Sequence, residues 1–163
     1  LGRATGPSPN NIGEKAMKDI YNNLALVQAV KPVLVLDNVV PAAVEVDLAG
    51  FNSALIELNV GLKNADTGTI TLTLTHADDD GTGVSGDYSN VAAADVLGVT
   101  PVAGLIKTID VDADADTSHV FKYGYVGGKR FIKLTLAELN DNATGVILAI
   151  TVIKGHPLDA PVA

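Results

Sequence analysis

The chain has no cysteine, no tryptophan and a single methionine, Met17. Without cysteine it has neither a disulfide framework nor a thiolate zinc site, and cysteine usage leaves the redox compartment open. Aromatic residues make up only 4% of a composition that is 47% hydrophobic, so a core must be filled by Val, Leu, Ile and Ala. Basic residues are also scarce, with 11 Lys and Arg against 19 Asp and Glu. The resulting formal charge of -8 argues against wrapping nucleic acid or adhering to an anionic membrane, both of which want a basic surface. No apolar run approaches the ~20 residues of a membrane helix. The N-terminus lacks the basic-then-apolar pattern of a secretory signal.

Catalytic signatures are missing too. No serine sits in a Gly-x-Ser-x-Gly elbow, and the glycines around 81–86 lack the Lys-Ser/Thr that completes a phosphate loop. His76, His119 and His156 have no ligand spacing such as i, i+4 on a helix. With no nucleophile, base or metal set at recognised spacing, the expectation is a protein that is not an enzyme and carries no cofactor.

What the chain does contain is strand patterning. Residues 53–76 (SALIELNVGLKNADTGTITLTLTH) hold two β-rich runs joined by a polar turn. In the second, Ile70, Leu72 and Leu74 point one way and Thr69, Thr71, Thr73 and Thr75 the other. Period-two alternation means a strand with one buried face, and threonine suits the exposed one. Similar runs occur at 25–36, 43–48, 104–111, 120–125, 129–136 and 146–154. Pro32 interrupts the first of these, which marks an edge strand, a bulge or two short strands. Gly127-Gly128 between two β-rich runs predicts a hairpin. Residues 87–97 read as strand followed by turn.

A chain of 163 residues is long enough for one domain with a real core. The fold expected is all-β, an antiparallel sandwich or barrel of eight to ten short strands, jelly-roll-like, with a short N-terminal helix and extended terminal arms. The divisions are 1–23 for an arm with a short helix over 14–23, 24–155 for the β-sandwich domain, and 156–163 for a C-terminal tail. With its first methionine at Met17, the chain is either numbered from inside a longer product or begins with a tag or processed segment.

Two acidic clusters are the candidates for chemistry. Asp110, Asp112, Asp114 and Asp116 (DVDADAD) alternate like the opening ligands of a calcium loop. The glycine then required at position six and the glutamate at position twelve are missing in both registers, which place Thr117 and Tyr123, or Ala115 and Phe121, there. An exposed acidic loop is the favoured reading, and these four remain weak metal candidates. His76 with Asp78, Asp79 and Asp80 has the residue types of a metal or acid–base site, but aspartates entering a glycine-rich loop more often start turns. The one basic cluster is Lys129, Arg130 and Lys133, with Lys122 across the expected hairpin. It would serve an acidic partner surface or be an ordinary solvated face.

Five stretches, VQAVKPVLVLDN (27–38), LAGFNSALIELNVG (48–61), LTHADDDG (74–81), YVGGKRFIKL (125–134) and VIKGHPLDAPVA (152–163), resemble a family of small β-rich proteins. Their genes lie beside the major capsid genes of tailed phages and prophages. The resemblance covers most of the chain in order, leaves out residues 1–17, and carries no catalytic residues. It implies a virion structural protein of the capsid-decoration (cement) kind, located on the capsid surface and assembled in the host cytoplasm. The partners it implies are the major capsid protein and further copies of itself, a homotrimer at a shell symmetry axis being the form that fits, with neither nucleic acid nor membrane. The alternatives are another virion component, such as a head fibre or tail part, and a calcium-stabilised carbohydrate-binding or adhesion module.

Overall fold

A computed structural model of the chain describes residues 20–36, 39–63, 68–110, 119–139 and 145–159. Within them the chain forms a 3-10 turn at Tyr21–Asn23 and then β1 (Ala25–Val35), β2 (Val44–Asp47), β3 (Phe51–Lys63), β4 (Thr69–Ala77) and β5 (Ser89–Asn90). A second 3-10 turn at Ala93–Asp95 leads into β6 (Val96–Leu97), β7 (Leu105–Asp110), β8 (His119–Tyr125), β9 (Phe131–Leu139) and β10 (Val146–Pro157). The strands pair antiparallel into two sheets packed face to face, one ordered β1-β10-β3-β8-β6 and the other β2-β9-β4-β5, with β7 also paired to β4.

Along the chain the eight principal strands switch sheets at every step except from β4 to β7, which pair with each other, giving β1-β10-β3-β8 opposite β2-β9-β4-β7. That is jelly-roll order, a double-sheet sandwich of two Greek keys. The fold is thus an all-β sandwich and not a closed barrel.

The core is aliphatic, as the shortage of aromatics requires. Ile56, Leu58 and Val60 of β3 and Leu148, Ile150 and Val152 of β10 face Ile70, Leu72 and Leu74 of β4 and Ile132, Leu134 and Leu136 of β9, all buried. In β4 the alternation is as the sequence predicts: Ile70, Leu72 and Leu74 point inward, and the threonines lie half-buried on the other face. Pro32 sits on the edge strand β1, where the register against β10 slips between Val30 and Val33. An edge position and a bulge are both places where a missing N–H is tolerated.

Three expectations change. The hairpin at Gly127-Gly128 does not form, because β8 and β9 belong to different sheets and residues 126–130 cross between them. Neither glycine has positive φ, whereas tight hairpin turns need it. Gly127 serves close approach instead, since a Cβ there would lie 2.7 Å from the Tyr125 hydroxyl. The tail expected from His156 starts later, because β10 runs on to Pro157, which pairs with Phe51. Of the helix expected over 14–23, the described part is only the 3-10 turn at Tyr21–Asn23, and residues 14–19 lie outside the described residues.

One turn depends on a glycine. Ala103 (φ 50) and Gly104 (φ 82) are consecutive left-handed residues bridged by reciprocal Val102–Leu105 hydrogen bonds, and the Gly104 carbonyl accepts the Leu74 N–H at 2.8 Å. A Cβ on Gly104 would sit 2.8 Å from the Leu74 carbonyl oxygen, which a ladder strand cannot move aside. Backbone strain and overpacking together predict that Gly104→Ala costs about 2–4 kcal/mol, to be measured by urea denaturation. A change below ~0.5 kcal/mol would show that this turn is not held against β4.

Candidate functional site

Two regions gather functional side chains. The first is the loop that follows β4 and folds back over the outer face of the second sheet. Asp79 accepts the N–H groups of Gly81 and Gly83 at 2.8 and 2.9 Å, and Asp80 accepts the N–H and hydroxyl of Thr82 at 2.8 and 2.6 Å. These are the side-chain-to-backbone bonds with which aspartate starts turns. Asp79 also pairs with Arg130, and Asp78 with Lys129. Arg130 in turn forks onto Asp47 at 2.9 and 2.8 Å. Glu45 of β2 accepts the hydroxyl of Ser85 at 2.8 Å and that of Tyr88, while Lys133 lies 3.4 Å over the Tyr88 ring.

The electrostatics match these contacts. The Arg130 guanidinium holds Asp47 below the ordinary carboxylate range, loop N–H groups do the same for Asp79, and the Thr82 hydroxyl for Asp80. Glu45 is lowered by the Tyr88 and Ser85 hydroxyls. Tyr88 is pushed up to about 12, chiefly by burial. The acids of this loop are thus satisfied by cations and backbone, and among the described residues no group of three His, Asp or Glu is placed to hold a metal ion.

His76 does not join these aspartates. It is buried at the end of β4, with Nδ1 3.0 Å from the Tyr125 hydroxyl and the two rings edge to face at 83°. That hydroxyl also accepts the Lys129 N–H at 3.2 Å and lies 3.5 Å from the Lys129 carbonyl oxygen, so it ties His76 to the crossing segment 126–130. Burial lowers the His76 pKa and keeps the ring neutral. Of the acidic run, Asp110 closes β7 opposite Thr69, and Asp112, Asp114 and Asp116 lie outside the described residues. Lys122 stands apart from Lys129, Arg130 and Lys133, because it belongs to β8 in the first sheet, where it pairs in register with Glu57.

The second region is the outer face of the first sheet. A groove of about 940 Å³ opens there, lined mainly by Leu24, Leu55, Leu97, Val126, Ile153 and Pro157, with Ile20 on its rim. The registers explain it: Leu26, Ile153, Leu55, Gly124 and Leu97 stand side by side, one from each strand, in a single apolar row across the sheet. At Gly124 the missing side chain lets Leu97 lie flat on β8, 3.2 Å from where a Cβ would be.

At one end of the groove Ser53 Oγ lies 2.6 Å from His156 Nδ1, and the Asn52 side-chain amide donates to the His156 carbonyl at 3.2 Å. His156 holds φ at 53, an uncommon value for a non-glycine residue. A serine–histidine bond is the first requirement of an activated nucleophile, but a base also needs a third group to orient it. Among the described residues no carboxylate bonds the His156 ring, and the pair acts as a polar clasp between β3 and β10.

Neither the groove nor the clasp is among the residues singled out in the sequence. The available signal was Leu55, an apolar residue on the face that otherwise carries Glu57 and Asn59. No protein-family model matches the chain, and no curated protein is significantly similar to it.

Proposed function

We propose that this chain is a non-enzymatic virion structural protein, a decoration protein that binds the outside of a tailed-phage capsid and stabilises it. The observation that carries the reading is the gathering of surface apolar side chains at one end of the sandwich, next to the first and last described residues. Ile20 and Pro157 line the same groove, Leu158 bonds Gly50 beside it, and Ile20 and Leu158 are both more than half exposed. The described residues begin and end close to it, at Ile20 and beside Leu158. Terminal segments that order on a neighbour bury much surface for their length, at a cost in ordering entropy.

Further support comes from the acid-rich loop, whose carboxylates are tied down, and from the five stretches that resemble phage proteins encoded beside the capsid gene. A jelly roll is a frequent virion building block, although the fold is shared with lectins and cupins and does not itself decide function. The partner we propose is the major capsid protein of a tailed-phage head. Purified protein incubated with heads of that shell protein is expected to pellet with them and to saturate at a fixed number of copies per head. Protein that stays in the supernatant at every concentration would contradict the proposal.

A further inference from the structure

The outer face of the first sheet is charge-patterned as well as apolar. Directly below the apolar row lies a polar one, Gln28, Thr151, Glu57 and Lys122, again one residue per strand in register. In this polar row the only charges are Glu57 on β3 and Lys122 on the adjacent β8. Leu26 is 70% and Leu97 58% exposed, so the row above is largely open to solvent. Five strands spaced by ~4.8 Å make that row roughly 19 Å wide.

We propose that this face is a two-fold interface between two copies of the chain. With the strands of the two copies near parallel, a two-fold axis in the interface runs either along the rows or along the strands. An axis along the apolar row stacks each strand on its own copy, and sets Glu57 and Lys122 against the uncharged row that contains Ser53 and Gly155. The Glu57–Lys122 pair of each copy would then be desolvated against uncharged groups, which is costly. An axis parallel to the strands, between β3 and β8, places β3 over β8 of the other copy at the same height. Glu57 then faces the second Lys122 and Lys122 the second Glu57, while Leu55 meets Leu97 where it lies over Gly124. Leu97 also reaches the second Ile153. Only this operation pairs every charge of the two rows and keeps apolar on apolar.

The charge pattern therefore selects a second copy as the occupant and fixes its register, and the apolar row supplies most of the driving force. Sheets stacked this way lie ~10 Å apart with strands near parallel, as in the sandwich itself. This arrangement replaces the homotrimer with a pair, and it does not depend on the virion reading.

Light scattering after size exclusion, on the full chain over a concentration series, tests it. The wild type is expected at twice the 16.7 kDa chain mass, and Leu97→Glu at the chain mass with the circular dichroism spectrum of the folded wild type. Because symmetry repeats each contact, Glu57→Lys and Lys122→Glu singly should weaken association by at least about tenfold. The double reversal Glu57→Lys with Lys122→Glu should restore it. A wild type that is monomeric or trimeric, a Leu97→Glu protein of unchanged mass, or a double reversal that fails to recover would each overturn the pair. Head binding is measured separately, so a failure here leaves the decoration reading standing.

Discussion

Tyr125→Ala is expected to remove about 3–5 kcal/mol of folding stability, the largest loss from any single substitution considered. Tyr125 is fully buried at the end of β8. Its ring fills space that the aliphatic core leaves open, and a Cβ on Gly127 would lie only 2.8 Å from ring carbons, so the backbone is already closed over it. Truncation leaves a cavity and strips His76 Nδ1 and the Lys129 N–H of their common partner. Tyr125→Phe keeps the packing and removes only the hydroxyl, so its cost is chiefly that of the buried His76 Nδ1 left unpaired, about 1–3 kcal/mol. Native stability is of order 5–15 kcal/mol, so the alanine variant should be near its unfolding threshold. Urea denaturation with unchanged slope measures both. Equal losses for Phe and Ala would mean that the hydroxyl network, not the ring, supports this end of the fold.

The same tyrosine helps set the alkaline limit, together with Tyr88, which is likewise pushed up to about 12. Burial pushes the Tyr125 hydroxyl up to about 12. A phenol whose folded pKa is raised contributes stability that is fully present below the unfolded value near 10 and is lost as pH rises toward 12. Two pH units correspond to about 3 kcal/mol. On the acid side His76 is lowered by burial, so its contribution is present above its unfolded value of ~6.5 and is lost as pH falls through its folded one. Asp47, lowered by Arg130, adds a second loss below the ordinary carboxylate range. Stability plotted against pH should therefore be a plateau between roughly pH 6.5 and 10, with falling limbs on both sides. Tyr125→Phe should flatten the alkaline limb relative to wild type, and an unchanged limb would contradict the assignment of Tyr125.

Local pattern was legible in the sequence, and long-range assembly was not. The threonine–leucine alternation of β4 gives its two faces directly, because side-chain period is a property of the strand alone. Pro32 likewise marked β1 as an edge or bulge. Gly127-Gly128 misled because a glycine pair signals a tight path without saying what it approaches. There it lets the chain pass the Tyr125 ring between sheets and makes no hairpin turn. The apolar row drew one residue from each of five strands spread between Leu26 and Ile153, so it exists only after β10 inserts between β1 and β3. Val146–Pro157 held a hint: Ile147 and Ile153 are apolar on the face opposite Leu148, Ile150 and Val152, and a strand apolar on both faces is covered on both or exposes one. Asp79 and Asp80 were correctly read as turn formers, but the ties of Asp79 to Arg130 and of Asp78 to Lys129 depend on residues 51 positions away in sequence.

The most direct test of the proposed role is a cryo-EM comparison of heads assembled with and without this chain. Decoration predicts sandwich-sized density repeated over the outer surface of the head, present only when the chain is supplied and bound to the major capsid protein. A bare head surface, or density confined to the tail or a single vertex, would contradict it.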